Sequence, residues 1–415
     1  MAVTELDLLP RLADVAAGHA REASPDDAVD GVPSRWVVTP QDIGQVSAVM
    51  SVAHENRLAV VPRGAATKLR WGAPPDRLDV VLDMTEVDQL VEHAAGDLIA
   101  VVEAGRRLDT LQNDLGSAGQ RLAVDLARSG TVGGLVATAS TGPGRLHYGP
   151  VRDLVIGTTM VRADGVIARA GGKVVKNVAG YDLGKLLTGS FGTVGVIVSV
   201  AFRLHPIPET SRWVCVEVRS SSEAVELSQR VVHSHLVPTA AELDLLAGGL
   251  GTLAVRLDGI APGVAARSGE AVELLGTGAE ILEDAPAWWG SEPGDGASVL
   301  LKVSYEVAAL AGVLDTAAEA AAESAASVSV RGSVAVGTLL VAVDGDAQAA
   351  IAVVERLRAA APSFGGAVII LEAPREIKSA VDVWGPVRGL ELMRRVKDQF
   401  DPEQLLSPGR FVGGI

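Results

Sequence analysis

Three glycine-rich segments in the N-terminal half of this 415-residue chain constrain its fold more than any other feature. They cover Arg63–Gly72, Gly130–Gly144 and Lys173–Ile197, and the third closes in an apolar, β-type stretch. Glycine has no Cβ atom, so clustered glycines indicate loops that approach a ligand closely. None of the segments fits the G-x-G-x-x-G pattern of a dinucleotide-binding turn or a phosphate-binding P-loop. We therefore expect a large, extended, phosphate-bearing ligand held mainly by backbone groups.

Each segment offers donors for such a ligand, and each also has a purely structural interpretation. The loop Pro62–Lys68 follows an apolar strand, and its successive N–H groups could form an anion-binding concavity or an ordinary turn. Ser129–Ala137 would place small residues at a helix N-terminus, which suits either a pyrophosphate or tight packing on a sheet. In the third segment, Gly195 would let a flat ring lie against the backbone of a strand. The polar residues around that ring would be Lys173, Lys176, Asn177, Tyr181, Asp182 and Lys185.

Charge and composition exclude several classes of function. The formal net charge of −15 argues against non-specific binding to nucleic acid, which needs many basic contacts. The single cysteine, Cys215, excludes an internal disulfide and a cysteine-ligated iron–sulfur cluster within the chain. No basic leader is visible, and no uncharged apolar run reaches the roughly 18–20 residues of a membrane span. We expect a cytoplasmic protein without a membrane-spanning segment.

The order of predicted elements divides the chain into three regions. Residues 1–208 form a mixed α/β unit that ends at two closely spaced prolines, Pro206 and Pro208. In residues 209–385, strand-like segments alternate with Ala/Glu/Leu-rich helical ones, which predicts an α/β domain with a mixed or antiparallel sheet. No clear internal repeat is visible there. Residues 386–415 predict a helix followed by a loop, and the whole chain is of the α+β class.

Five motifs, in their order and spacing, resemble the FAD-linked oxidases of the vanillyl-alcohol-oxidase type, whose cofactor domain is called PCMH-type. They are P-R-G-A-A-T-K, S-G-T-V-G-G-L-V-A-T-A-S-T-G-P-G, V-R-D-L-V-I-G, V-K-N-V-A-G-Y-D-L-G-K-L-L-T-G-S-F-G-T-V-G-V-I and F-D-P-E-Q-L-L-S-P-G-R-F. The fourth is most similar to the smaller FAD-binding E subunit of glycolate oxidases. The resemblance covers residues 30–208 well, the tail clearly, and the middle region hardly at all.

This resemblance implies an FAD domain of two α/β subdomains, a cap domain over the flavin, and a C-terminal return to the FAD domain. It also implies that FAD binds non-covalently, because residues 62–72 contain neither the histidine nor the cysteine to which some relatives attach the flavin. The cofactor-binding residues that it implies are Arg63, Gly64, Ala65, Ala66, Thr67, Lys68, Gly130, Thr131, Val132, Gly133, Gly134, Ala137, Thr138, Gly142, Arg145, Gly195, Val196, Ile197 and Arg410.

The chain departs from metal-assisted 2-hydroxy-acid relatives, because it has no counterpart of their clustered His and Glu residues. No histidine follows His235, which removes the usual general base. We therefore expect no metal site and assign no catalytic residue from the sequence.

The leading hypothesis is an FAD-binding subunit of a glycolate (2-hydroxy acid) oxidase complex, and peripheral association with a membrane through that complex is left open. A larger FAD-containing subunit would oxidise the small hydroxy acid, and an iron–sulfur subunit would take the electrons. One alternative is a non-catalytic structural or electron-relay flavoprotein. Another is a self-sufficient FAD-dependent dehydrogenase of a different small alcohol or acid.

Overall fold

The computed structural model describes residues 8–172, 181–294 and 298–415. Within those ranges the chain forms three larger sheets with helices on their faces, which confirms the α+β class predicted from the sequence. Lys173, Lys176 and Asn177, named above as polar residues near the ligand, lie outside the described residues. The domain boundaries at residues 208 and 385 stay predictions. Across the described ranges, no helix is long and apolar enough to cross a bilayer.

The first sheet positions the first glycine loop. Its strands lie in the order β1-β2-β4-β3, and β2, β4 and β3 run parallel. Val60 and Val61 of β3 are buried, and the strand ends at Arg63, where the chain enters the loop. The elements of this region are α1 (Leu8–Val15), β1 (Ala20–Glu22), β2 (Trp36–Val38), α2 (Ile43–Glu55), β3 (Val60–Arg63) and β4 (Val80–Asp83).

The second sheet is antiparallel, in the order β5-β6-β10-β8-β9, and its central strand β10 continues the third glycine segment. A separate two-stranded ribbon joins β7 to β11. The elements are β5 (Leu90–Ala94), β6 (Ile99–Glu103), α3 (Leu108–Gly116), β7 (Gln120–Arg121), α4 (Val132–Ala137), α5 (Arg145–Tyr148), α6 (Val151–Leu154), β8 (Val155–Val161), β9 (Ile167–Gly171), α7 (Leu183–Leu187), β10 (Val196–Arg203) and β11 (His205–Pro206).

The third sheet contains eight antiparallel strands in the order β15-β12-β14-β13-β17-β18-β16-β19. It consists of two β-α-β-β-α-β units of ferredoxin-like order, joined where β13 pairs with β17. The sequence shows no clear repeat here, so the duplication is a property of the fold alone. The elements are β12 (Thr210–Val218), α8 (Ser221–Val232), β13 (Ala240–Leu245), β14 (Gly251–Gly259), α9 (Ala261–Leu275), β15 (Glu280–Leu282), β16 (Val299–Ser304), α10 (Leu310–Ser324), β17 (Ser327–Ser333), β18 (Thr338–Asp344), α11 (Ala347–Ala360) and β19 (Ala367–Glu372).

The two faces of the eight-stranded sheet differ in character because side chains alternate along each strand. Leu243 and Leu245 of β13 lie in the hydrophobic core that includes residues of α8, α9, α10 and α11. Glu242 and Asp244 of the same strand point to the other face. That face meets the N-terminal region through ion pairs such as Arg256–Asp125, at 3.3 Å. The polar face of this sheet therefore looks towards the glycine-rich segments.

The tail returns to the first sheet. After α12 (Arg375–Ala380) and α13 (Leu390–Phe400), Leu405 and Ser407 exchange backbone hydrogen bonds with Val60 at 2.8 and 2.9 Å. Lys397 of α13 is buried and donates to the carbonyl of Thr193 at 2.8 Å. The tail is thus tied both to the strand before the first glycine loop and to the third glycine segment.

Candidate functional site

A cavity of about 810 Å³, here called the first cavity, opens where the three glycine-rich segments meet. Most of the residues implied by the resemblance lie on its wall. These are Arg63, Gly64, Ala65, Ala66, Thr67, Lys68, Gly130, Thr131, Gly133, Gly134, Ala137, Thr138, Gly195, Ile197 and Arg410.

Four implied residues do not line this cavity. Val132 and Val196 are fully buried in hydrophobic cores, because they occupy inward positions of α4 and β10. Gly142 and Arg145 line a neighbouring cavity described below. The wall also contains residues that were not predicted from the sequence, namely Pro62, Leu69, Met84, Ala104, Phe191 and Gly192. Phe191 and Gly192 lie inside the third glycine-rich segment and could have been named, whereas Met84 carries no local pattern that points to a ligand.

Free backbone donors line the first loop. The N–H groups of Ala65, Ala66, Thr67 and Lys68 have no acceptor within the described ranges. Ala66 has a φ of 60°, in the left-handed region, so the loop reverses direction at this residue. Successive unpaired N–H groups in such a turn form an anion-binding concavity. The loop therefore fits the phosphates of an extended cofactor.

For the small residues at the start of α4, the sequence left open a pyrophosphate site and tight packing, and the contacts observed are those of tight packing. The first N–H groups of α4 already have partners: Val132 donates to Arg106, Gly133 to Ala104, and Gly134 to the side chain of Thr131. A Cβ atom on Gly133 would lie only 3.0 Å from the Cβ of Ala104. The small residues here allow the helix to approach its neighbours closely, so the helix N-terminus is not a source of free donors.

Two arginines predicted at the cofactor have different surroundings. The Arg63 guanidinium donates to Asp27 at 3.0 Å and to Asp83 at 2.7 Å, so its charge is already balanced. Hydrogen bonds from Arg21 above all hold the pKa of Asp27 far below its usual range. Arg410 is 3% exposed and donates to the carbonyls of Leu69 and Trp71, both at 2.7 Å.

Arg410 retains capacity for an anion. Its Nε atom is buried without a hydrogen-bond partner, and burial lowers the pKa of Arg410 to about 10. A buried, incompletely bonded cation costs free energy unless a ligand completes its hydrogen bonds. Together with the free N–H groups of the first loop, Arg410 makes the wall of the first cavity suitable for an anionic cofactor such as FAD.

The strained residue of the first loop gives a direct test of this backbone conformation. We expect Ala66→Gly to be more stable than Ala65→Gly by about 1–2 kcal/mol. Only the replacement at position 66 removes a Cβ atom from a left-handed backbone conformation, where it is unfavourable. Ala65 has no positive φ, so its replacement adds only unfolded-state entropy. Denaturant unfolding of both variants measures the difference. Equal stabilities, or the reverse order, would contradict the loop conformation.

A second cavity of about 1,000 Å³ adjoins the first and shares Lys68, Thr138 and Phe191 with it. The polar face of the eight-stranded sheet forms one of its walls, through Glu242 and Lys302 among others. Lys68 stands at the junction and donates to the carbonyl of Arg128 at 3.1 Å. Burial, assisted by the charge of Arg128, lowers the pKa of Lys68 to about 8.

Two cations of the second cavity make no ion pair through their side chains within the described residues. Arg128 and Arg331 are paired with carboxylates, for example Arg331 with Asp244 at 2.8 Å. The Arg145 side chain, by contrast, donates only to Thr141 among the described residues, at 3.4 Å, and its Nε atom is buried without a hydrogen-bond partner. The Lys302 side chain has no hydrogen bond or ion pair within the described residues. Burial lowers the pKa values of both Arg145 and Lys302, as expected for desolvated cations.

Two parts of the chain match known families. Residues 34–171 match the FAD binding domain, and residues 301–411 match the C-terminal domain of FAD linked oxidases. The first match contains the first and second glycine-rich segments. The second begins at β16, next to Lys302, and ends after Arg410. Both matches therefore include residues that line the two cavities.

Curated relatives match half of this chain or less. The chain is 32% identical to glycolate oxidase subunit GlcD of Bacillus subtilis (strain 168) over 50% of its own length and 44% of the relative's. It is 35% identical to glycolate oxidase subunit GlcE of Escherichia coli (strain K12) over 38% of its length and 46% of the relative's. The chain thus spans less than half the length of these relatives.

The fold is also similar to that of a solved structure. The chain superposes on p-cresol methylhydroxylase with substrate bound at a TM-score of 0.78, covering 99% of this chain and 97% of that one. The sequence identity is 15%, so the likeness concerns the fold. It confirms the PCMH-type architecture predicted from the motifs.

Proposed function

We propose that this chain, which carries the FAD binding domain and the C-terminal domain of the FAD-linked oxidases, oxidises a small 2-hydroxy acid with non-covalently bound FAD. The observation that supports this most is the second cavity, which adjoins the first and presents Arg145 and Lys302, whose side chains make no ion pair within the described residues. A carboxylate is the natural partner of two such desolvated cations. The names of the glycolate oxidase relatives agree with a small hydroxy acid as substrate.

The residues of the first cavity would hold the cofactor. The N–H groups of residues 65–68 would meet its phosphates, and Arg410 would add a buried positive charge. The wall of this cavity contains neither histidine nor cysteine, which supports non-covalent binding. FAD, when bound, supplies the capacity to accept two electrons and a hydrogen from the substrate carbon. The protein supplies binding, orientation and protection from water.

The two unpaired cations give a test of substrate binding that does not depend on turnover. We expect Arg145→Met or Lys302→Met to weaken the binding of a small 2-hydroxy acid about 10–100-fold, since a hydrogen bond to a charged group contributes about 1.5–3 kcal/mol. Calorimetric titration of the full chain measures this. Arg212→Met is the matched control, because Arg212 lies on β12 and pairs with Glu283 at 3.1 Å outside the cavity. Unchanged affinity in both cavity variants would place the substrate elsewhere.

We also propose that the chain works within a complex, as the FAD-binding subunit beside a larger FAD-containing subunit and an iron–sulfur subunit. The similarity to GlcE supports this, and the single Cys215 cannot supply the ligands of a cysteine-ligated cluster. The isolated chain should then have its flavin reduced once by the acid, while sustained turnover should require the other subunits. Sustained turnover of the isolated chain would instead support a self-sufficient dehydrogenase.

The non-catalytic alternative makes a different prediction. An electron-relay or structural flavoprotein would hold FAD without being reduced by any hydroxy acid in the absence of the other subunits. Anaerobic mixing of the FAD-loaded chain with glycolate and larger 2-hydroxy acids distinguishes a catalytic from a non-catalytic flavoprotein. The flavin absorbance should decrease only if this chain itself oxidises the acid.

A further inference from the structure

Glu242 is a buried carboxyl group on the wall of the second cavity, and neither substrate binding nor cofactor binding as described above uses it. It lies on β13, opposite Ala254 of β14 and Ser333 of β17. The residue is 6% exposed, and its Oε1 atom has no hydrogen-bond partner. An unsatisfied buried oxygen is costly, so its presence beside a cavity points to a ligand that completes its bonding.

The position of Glu242 relative to the unpaired cations suggests what it does. Arg145 lies close enough to interact electrostatically with the carboxyl, and Lys302 lines the same cavity. A substrate carboxylate bound by these cations would bring the neighbouring hydroxyl group into the same cavity as Glu242. A general base must lie within hydrogen-bond reach of the proton that it removes, and Glu242 has a free oxygen for this purpose.

We propose that Glu242 is the catalytic residue that accepts the hydroxyl proton during oxidation of the 2-hydroxy acid, an inference that rests on the proposed function. The O–H bond breaks, and its proton goes to a carboxylate oxygen of Glu242. When bound, FAD would supply the two-electron acceptor for the hydrogen of the adjacent C–H bond, so that the carbon–oxygen bond would become a carbonyl. The product is the 2-oxo acid, and this half-reaction requires no oxidant other than FAD.

The surroundings of Glu242 determine when it can act. The charged and titratable groups around it are Asp125, Arg145, Asp244, Arg256, Lys302, Tyr305 and Arg331. Burial raises the pKa of Glu242 to about 8, and the charge of Asp125 acts in the same direction while Arg145 opposes it. Below that pH the group is a neutral acid that cannot take a proton. The reduction of the flavin should therefore accelerate as pH rises towards 8 and then level off.

The kinetic test compares Glu242→Gln with wild type in the FAD-loaded full chain. We expect the rate of flavin reduction by the 2-hydroxy acid to fall about 100- to 10,000-fold, as for loss of a general base. The rise of the rate towards pH 8 should also disappear. Glu217→Gln is the matched control, because Glu217 lies on the same face of the sheet but is exposed. A wild-type rate and pH profile in Glu242→Gln would overturn the proposal.

A second measurement needs neither substrate nor cofactor turnover. Between the ordinary carboxyl value of 4.5 and about 8, folded Glu242 keeps a proton that the unfolded chain has lost. Stability contributed by this group is therefore present below pH 4.5 and lost as pH rises. The unfolding equilibrium constant of wild type should grow relative to that of Glu242→Gln, by up to about tenfold per pH unit in this interval. Parallel curves would show that Glu242 is ionised at neutral pH, against the proposed pH profile.

The outcomes separate this inference from the proposed function. If no 2-hydroxy acid reduces the flavin of the wild-type chain at any pH, the proposed function fails and the role of Glu242 fails with it. If the acid reduces the wild-type flavin and the Glu242→Gln flavin equally well, only the role of Glu242 is overturned. Reduction of wild type alone, with the pH dependence described, supports both.

Discussion

Replacing Lys397 by methionine is expected to destabilise the chain by about 3–5 kcal/mol, because it removes one partner of a buried ion pair and leaves the other charge uncompensated. Lys397 is 1% exposed and donates to Asp401 at 2.6 Å and to the carbonyl of Leu406 at 2.9 Å. Asp401 is fully buried and also accepts from the N–H groups of Leu405 and Leu406. Removing the lysine would leave that carboxylate without its counter-charge in the protein interior.

The same replacement should weaken cofactor retention, because Lys397 also donates to the carbonyl of Thr193 in the third glycine segment. Arg395→Met is the matched control on the same helix, since Arg395 is exposed, and its effect should stay within about 0.5 kcal/mol. Adding Asp401→Asn to Lys397→Met should recover part of the loss. Urea unfolding of the variants measures these differences, and a loss below about 1 kcal/mol for Lys397→Met would be incompatible with a buried charge pair.

The second large effect is expected for Gly142→Ala. A Cβ atom on Gly142 would lie 1.4 Å from the backbone carbonyl oxygen of Asp125, a contact that no side-chain rotation relieves. The segment around Asp125 would have to move, and Asp125 both lines the second cavity and pairs with Arg256. We expect a destabilisation of at least about 1–3 kcal/mol, as for overpacking, together with weaker binding of the hydroxy acid.

A matched glycine shows whether this effect is steric. Gly269 lies within α9, and a Cβ atom there would meet nothing within 4 Å. Gly269→Ala should therefore stabilise the chain by about 0.5–1 kcal/mol, because alanine loses less conformational entropy in a helix. Thermal unfolding of both variants provides the comparison. Similar stabilities of the two variants would mean that the backbone around Gly142 is less crowded than the structure shows.

Many residues that the local motifs indicated lie on the wall of the first cavity, for a physical reason. A strand that runs directly into the loop at Arg63, and the S-P-G-R tail that carries Arg410, are patterns of consecutive residues. For the small residues of α4, the sequence left two interpretations open, a pyrophosphate site and tight packing. Only the folded chain shows that Gly133 and its neighbours have already used their N–H groups within the protein.

The second cavity was largely hidden from the sequence. Glu242 alternates with Leu243 along β13, a pattern that is typical of a strand with one face in water. Its burial arises because the polar face of the eight-stranded sheet packs against the N-terminal region, a contact between segments that are distant in sequence. The position of Lys302 in the second cavity depends on the same contact between distant segments. Arg145 was named from the resemblance as a flavin contact, whereas its position in the second cavity depends on the same long-range packing.

Oxidation of a 2-hydroxy acid by this chain is tested by the absorbance of the FAD-loaded full chain under anaerobic conditions, after addition of glycolate or a larger 2-hydroxy acid. We expect at least one such acid to reduce the flavin and bleach its absorbance without other subunits. Lys302→Met should require a higher concentration of the acid for the same extent of reduction. A flavin that dithionite reduces but that stays oxidised with every 2-hydroxy acid tested would show that this chain does not oxidise such acids.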